Sequence, residues 1–210
     1  MAETDGPGTT NDNPKAAGAI LAGGLATRMG GSKCDLVLEG MSLIERVVTA
    51  FRAAGIEPSA VTRCDRPVGL EHVTTLVEPD GPRHPLAGVA MALRESGGRP
   101  VVVVACDMPL VTPALLRTLA NRPGGTLVPA PRGRLQPLAA RYDPGDLPMI
   151  EAALDVGRSV RSLIAELEPE VLGSADLEPL GDPDTMFFNV NEPADLDAAR
   201  VLLDRAAAGS

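Results

Sequence analysis

The sequence predicts an α/β fold, a three-layer α/β/α sandwich around a mostly parallel central sheet that carries an antiparallel strand. Three observations lead there. Short apolar runs alternate with amphipathic segments of helical period through most of the chain. Runs such as VVVVAC are apolar at every position, which asks for burial on both faces, as in a parallel sheet covered by helices. The 210 residues are 44% apolar but only 2% aromatic, so the length suits one core built from Val, Leu, Ile and Ala.

Residues 1–16, MAETDGPGTTNDNPKA, are polar and aperiodic and read as a disordered tail; residues 17–207 read as a single domain. AGAILAG is a buried strand followed by a glycine-rich loop. SLIERVVTAFRAAG is a helix with Leu43, Ile44, Val47, Val48 and Phe51 on one face. Ser42 and Glu45 form a capping box and Gly55 stops the helix. SAVTR and HVTTLVE are short strands, PLAGVAMALRES a helix led by proline, and RPVVVVACD the most apolar strand. TPALLRTLAN is a helix with Thr112 as N-cap and Pro113 at its first position. GTLVPA and LQPLAARY are strands, the second antiparallel because the link PRGR is too short for a helical crossover. GDLPMIEAALDVG and SVRSLIAELE are helices, TMFFNVN a last strand, and EPADLDAARVLLDRAAA a closing helix.

Composition excludes several classes. The net charge of −9 argues against nucleic-acid binding, which wants a basic face. The charge is unevenly spread: residues 16–141 hold fourteen Arg/Lys against ten Asp/Glu, whereas residues 142–197 hold two against fourteen. The first part is therefore where a polyanionic small molecule sits more comfortably. No apolar run is long enough to span a bilayer, and no positively charged segment precedes an apolar h-region at the N-terminus. Three cysteines without CxxC spacing argue for a reduced, cytoplasmic setting and against a disulfide framework or zinc site. Cys34, Cys64 and Cys106 read as packing residues.

The stretch AILAGGLATRMGGSK, residues 19–33, poses the functional question, because it sets four glycines beside Arg28 and Lys33 after a strand. It is not a Walker A loop: five residues separate Gly24 from Gly30, and Gly31 rather than lysine follows. Nor does it supply GxGxxG. It does satisfy the LAGGxxxRMGxxK signature of nucleotidyltransferases. Gly23 and Gly24 let backbone lie against a base or phosphate, Arg28 offers a planar fork to phosphate oxygens, and Lys33 a mobile point charge. The plain alternative is a βα turn whose cations are solvated. Asp107 follows the most buried strand at its carboxyl end, where α/β sheets bind ligands and where a carboxylate suits Mg²⁺; a lone Asp there also reads as a turn residue or cap. Asn189 and Asn191 alternate along the predicted last strand, which puts their amides on one side. Asn191 also reads as the cap of the closing helix. Gln136 sits early in its strand.

Together these resemble the molybdenum cofactor guanylyltransferases of the nucleotidyltransferase superfamily, from about residue 17 to residue 203. LAGG…RMGxxK, PLAG at 85–88, CDMP at 106–109, GRxQPL at 133–138, RSVRSLI at 158–164 and FFNVNEPADL at 187–196 fall in the family's order. The resemblance implies a Rossmann-like sheet and a nucleotide site made of Leu21, Ala22, Gly23, Gly24, Arg28, Lys33, Asp65, Asp80 and Asp107. Leu21 to Gly24 would hold guanine through backbone, Arg28 and Lys33 the triphosphate, and Asp107 Mg²⁺. Gln136, Asn189 and Asn191 would face the acceptor. The implied reaction is attack by the terminal phosphate of molybdenum-molybdopterin on the α-phosphate of GTP, with delivery proteins or apo-molybdoenzymes as transient contacts. Catalysis would rest on positioning and charge neutralisation by Arg28, Lys33 and Asp107.

The sequence departs from the family's pattern in places. Ser32 stands where Asp usually precedes the lysine, and His84 replaces the glycine of GPLAG. His84 reads as a solvated loop residue that could reach phosphate as a cation. The Asn usual after the second strand is absent; Cys64 and Asp65 stand there, and Asp65 could accept from guanine. Gly23 leans toward GTP rather than CTP, by family correlation. Cytidylyl transfer, guanylyl transfer to another small phosphate such as 2-phospholactate, and a non-catalytic nucleotide-binding role are the alternatives. A nicotinamide-dependent reductase lacks its glycine fingerprint.

Overall fold

The computed structural model describes residues 16–22, 25–26, 31–63, 70–79 and 84–208; residues 1–15 of the expected tail lie outside them, and Ala16 is already buried in the core. Strand β1 (Ala17–Leu21) is followed by β2 (Pro58–Thr62), β3 (Thr74–Val77), β4 (Val101–Ala105), β5 (Leu127–Pro129), β6 (Ala139–Tyr142) and β7 (Glu170–Leu172). Across the seven-stranded sheet the order is β7-β5-β6-β4-β1-β2-β3. Every pair is parallel except those of β6, which runs antiparallel to β4 and β5. The mostly parallel sheet with an antiparallel member is the one the sequence predicts.

The run VVVVA shows why two helical layers are needed. Val102 and Val104 pack with Ile44, Val47 and Phe51 of α1 (Leu43–Ala53) on one face. Val101 and Val103 pack on the other with Leu86, Val89 and Leu93 of α2 (Pro85–Glu95). Strand alternation sends neighbouring valines to opposite faces, and burying each fully is worth about 1.5–3 kcal/mol. Helix α3 (Pro113–Asn121) joins the α1 layer; α4 (Leu147–Asp155) and α5 (Val160–Leu167) join the α2 layer. Two single-turn helices, α6 (Ser174–Leu177) and α7 (Pro183–Met186), lead to α8 (Pro193–Ala208). Ala199 of α8 lies in a smaller cluster with Leu38, Leu43, Leu110 and Val190.

The predicted helix ends are present. Ser42 Oγ accepts from Glu45 N, and Glu45 Oε2 accepts from Ser42 N at 2.8 Å. Gly55 takes φ +78°, and Thr112 Oγ1 accepts from Leu115 N at 3.2 Å. His84, expected in a solvated loop, is instead the half-buried N-cap of α2, its Nδ1 accepting from Leu86 N at 3.2 Å.

Three strand expectations change. Of LQPLAARY only Ala139–Tyr142 is strand, because Gln136 N donates to Pro129 O and Ala139 N to Gln136 O, which makes a turn. The helix read as SVRSLIAELE stops at Leu167; Glu168 enters the left-handed region at φ 46°, and the chain turns into β7, which the sequence reading missed. TMFFNVN is not a strand. Asp182 caps α7, its carboxylate accepting from Asp184 N and Thr185 Oγ1, and the chain beyond Met186 is irregular.

Arg141 on β6 is 2% exposed. Its guanidinium donates to the carbonyls of Leu119, Arg122 and Gly125, so a buried cation completes the C-terminal carbonyls of α3. Burial pulls its pKa down, yet the ordinary value is so high that the charge stays. Replacing Arg141 by Ala strands those carbonyls and should cost about 3 kcal/mol, read by urea denaturation. The Ser42–Glu45 box gives a second, smaller expectation. The Ser42 hydroxyl, then its backbone N–H, hold the Glu45 carboxyl below its ordinary 4.5. A lowered folded pKa stabilises above the unfolded value and the gain is lost as pH falls through the folded value. Ser42→Ala should therefore cost about 1 kcal/mol at neutral pH, and the deficit should shrink on acidification below 4.5.

Candidate active site

The parallel strands of the central sheet all end on one edge, and antiparallel β6 begins there. Backbone hydrogen bonds beyond the strands stitch this edge together. Ala22 N donates to Val61 O at 2.8 Å and Cys106 N to Leu21 O at 3.1 Å. Ala105 N donates to Leu138 O, and Val190 N to Asp107 O, both at 2.8 Å. Leu21, Ala22 and Asp107 thus share one seam, with the 136–138 turn and the 189–191 segment alongside. Asp107 is half-buried, with its Oδ1 shielded from solvent.

Of the expected site residues, Gly23, Gly24, Arg28, Asp65 and Asp80 lie outside the described residues, as does Cys64. Lys33 is described by its backbone, in a single 3₁₀ turn, Lys33–Asp35. Gln136 is half-buried in the turn before β6. Asn189 is half-buried and its Nδ2 donates to Phe187 O at 3.1 Å. Asn191 is exposed. Their segment is not a strand, so the alternation that would set the two amides on one side is absent. The start of α8 is capped from within the helix: Asp195 Oδ2 accepts from Asn191 N at 2.7 Å and Glu192 N at 3.0 Å.

The cysteine reading needs correction. Cys34 and Cys106 are joined as a disulfide across 72 residues, with Cα atoms 5.7 Å apart. Spacing along the chain could not show this, because the partners meet only once β1 and β4 pair side by side.

The sequence reading also passed over a polar group on the same edge. Arg63 and Glu78 follow β2 and β3, with Arg63 Nε 3.5 Å from Glu78 Oε2 and both side chains largely buried. Glu78 N donates to Thr62 O at 2.7 Å. Burial raises the Glu78 carboxyl above the usual range, and the Arg63 charge pulls it back in part. Gly88 of α2 faces this group: a Cβ there would lie 2.7 Å from Leu21 Cδ2 and 2.9 Å from Glu78 Oε1. The glycine of PLAG therefore has a packing reason, since a Cβ there would displace the tips of the Leu21 and Glu78 side chains. The signal for Glu78 was a lone acidic residue just past an apolar run, too common to single out.

A glycine-rich sequence following β1, and a carboxylate just past its parallel neighbour β4, at the carboxyl edge of the sheet, fit one class: an α/β nucleotidyltransferase. Residues 18–171 match the MobA-like NTP transferase domain, and the chain belongs to that family. It is 34% identical over 209 residues to a probable molybdenum cofactor guanylyltransferase of Pelotomaculum thermopropionicum, covering 93% of this chain and 97% of that one. It is 33% identical to the molybdenum cofactor guanylyltransferase of Rhizobium meliloti, covering 88% and 90%. The crystal structure of molybdopterin-guanine dinucleotide biosynthesis protein A from Archaeoglobus fulgidus superimposes with a TM-score of 0.76 at 26% identity, covering 90% and 99%. Among the described residues no helix is long and apolar enough to cross a membrane.

The Gly88 contact is open to test. Gly88→Ala should destabilise by about 1 kcal/mol, because the Leu21 and Glu78 side chains must swing away from the new methyl, and the melting temperature reports it. An unchanged melting temperature would mean that the approach is looser than described.

Proposed function

We propose that this protein transfers GMP from GTP to the terminal phosphate of molybdenum-molybdopterin, releasing pyrophosphate and forming the guanine dinucleotide. The observation that carries the reading is the placement of Asp107, whose backbone is bonded to the 189–191 segment and whose neighbour Cys106 is bonded to the end of β1. A carboxylate there would stand between a triphosphate held by the glycine-rich stretch and the turn and arm bearing Gln136, Asn189 and Asn191.

The donor set fits Mg²⁺. Asp107 offers hard carboxylate oxygen, and among the described residues no group of three or more His, Cys, Asp or Glu gathers into a protein-only metal site. Mg²⁺ takes such oxygen donors and is commonly shared between one or two carboxylates and substrate phosphates. When bound, Mg²⁺ would supply neutralisation of the phosphate charge.

The chain's own residues do the rest. Backbone from Leu21 to Gly24 would take the guanine, and Arg28 and Lys33 would draw charge from the triphosphate and the departing pyrophosphate. Gln136, Asn189 and Asn191, neutral donors and acceptors, would orient the acceptor without repelling its phosphate. An oxygen of that phosphate then bonds to the α-phosphorus as the bond to the β-phosphate oxygen breaks. No covalent nucleophile on the protein is required. The protein would act in the cytoplasm and pass its product to delivery or apo-molybdoenzyme proteins.

Pyrophosphate release with Mg²⁺ and molybdenum-molybdopterin, comparing GTP with CTP, is the test. We expect turnover with GTP and a loss of roughly 10³-fold in Asp107→Ala. Turnover with CTP would overturn the base, and silence with both would overturn nucleotidyl transfer to this acceptor, in favour of another acceptor or of a binding protein without catalysis.

A further inference from the structure

The one disulfide among the described residues is set between two residues to which the proposed function gives work. Cys34 directly follows Lys33 in the Lys33–Asp35 turn, and Cys106 directly precedes Asp107 at the end of β4. Their Cα separation of 5.7 Å is that of an ordinary disulfide. Both are buried, at 0% and 4% exposure. Cys34 Sγ also lies 3.6 Å from Ala22 O, within reach of a thiol that donates to that carbonyl. Cys34 therefore has a partner in either state: Cys106 when oxidised, Ala22 O when reduced.

The backbone gives this pairing mechanical meaning. Cys106 N is bonded to Leu21 O, so Cys106 is registered against the end of β1 whatever its sulfur does. Along the sequence the glycine-rich stretch follows Leu21, and Cys34 comes just after it. The disulfide adds a covalent anchor at its far end, against the same seam. Once formed it holds the Lys33 backbone next to the strand end that bears Asp107.

We propose that Cys34 and Cys106 form a reversible thiol–disulfide couple, a redox modification site whose oxidised state clamps the Lys33 turn to Asp107 and tightens binding of the nucleoside triphosphate. The effect on affinity rests on the function proposed above; the couple itself does not. The oxidant is a peroxide. One cysteine sulfur attacks a peroxide oxygen, the O–O bond breaks, and a sulfenic acid and one water result. The second cysteine sulfur attacks the sulfenic sulfur, forming the S–S bond and releasing a second water. Two electrons and two protons leave the thiols in all. A dithiol reverses the change by exchange through a mixed disulfide. Fixing the Lys33 turn covalently against the end of β4 before the ligand arrives removes ordering entropy that binding would otherwise have to overcome.

The full-length protein, reduced with a dithiol or oxidised with hydrogen peroxide, is the sample, and non-reducing peptide mapping gives the first readout. Oxidation should link the Cys34 and Cys106 peptides with loss of two hydrogens, leave Cys64 unlinked, and raise the melting temperature by roughly 5–15 °C. Calorimetry with GTP and Mg²⁺ should give roughly fivefold to tenfold tighter binding to the oxidised form. Cys34→Ala and Cys106→Ala should bind as the reduced form does under both conditions; should either fail to fold, the unmodified protein in its two states still decides. Absence of the link would overturn the couple and leave the nucleotide reading intact. Equal GTP affinity in both states, with the link formed, would overturn the clamp. A formed link with no GTP binding in either state would overturn the nucleotide reading and the effect on affinity together.

Discussion

The parallel pairing of β1 with β4, from Ala17 opposite Val101 to Leu21 opposite Ala105, is the constraint on which the rest of this molecule depends. Both strands are nearly all apolar, so each needs a helical layer on both sides, and those layers fix where the connecting loops emerge. Because the strands are parallel and in register, their carboxyl ends come out together. Leu21 and Cys106, which stand next to the glycine-rich stretch and to Asp107 in the sequence, are backbone neighbours for that reason. Gly18 of β1 shows how tight the fit is: a Cβ there would meet Ile56 and Phe51 at 2.9 and 3.0 Å.

The reversed strand β6 extends the same logic. A parallel strand in its place would send Gln136 to the opposite edge; running antiparallel, β6 starts beside the end of β4. Its reversal also carries Arg141 under the end of α3, so one strand supplies both a site-facing turn and a cation for helix carbonyls. The two duties need different residue types at opposite ends: Gln136 stands in the half-buried turn before β6, and Arg141 lies in the fully buried strand.

What could be read before folding follows from the range of the interactions involved. The alternation of elements, the Ser42–Glu45 box and the Thr112–Pro113 helix start were legible because each is local or periodic. The LAGG and CDMP stretches were legible because their chemistry is written in adjacent residues. Cys34–Cys106 and Arg63–Glu78 were not, since each joins segments that only the sheet brings together. TMFFNVN misled for the converse reason. Its apolar run satisfies strand propensity, but Asp182 and Pro183 start a helical turn just before it. What remains offers the sheet one backbone bond to Asp107 and no ladder. Glu170–Leu172 was hidden by the helix before it, whose end depends on the left-handed turn at Glu168.

The bond from Val190 N to Asp107 O has a consequence in time. The chain emerges from its N-terminus during synthesis, and β1, β2 and β4 can assemble as soon as about half of it is available. The Asp107 carbonyl stays open to water until the segment around residue 190 arrives. The cluster of Leu38, Leu43, Leu110, Val190 and Ala199 closes only with that arm. A nascent chain therefore holds its framework early and its working edge late, so an incomplete product would carry the sheet without a finished site.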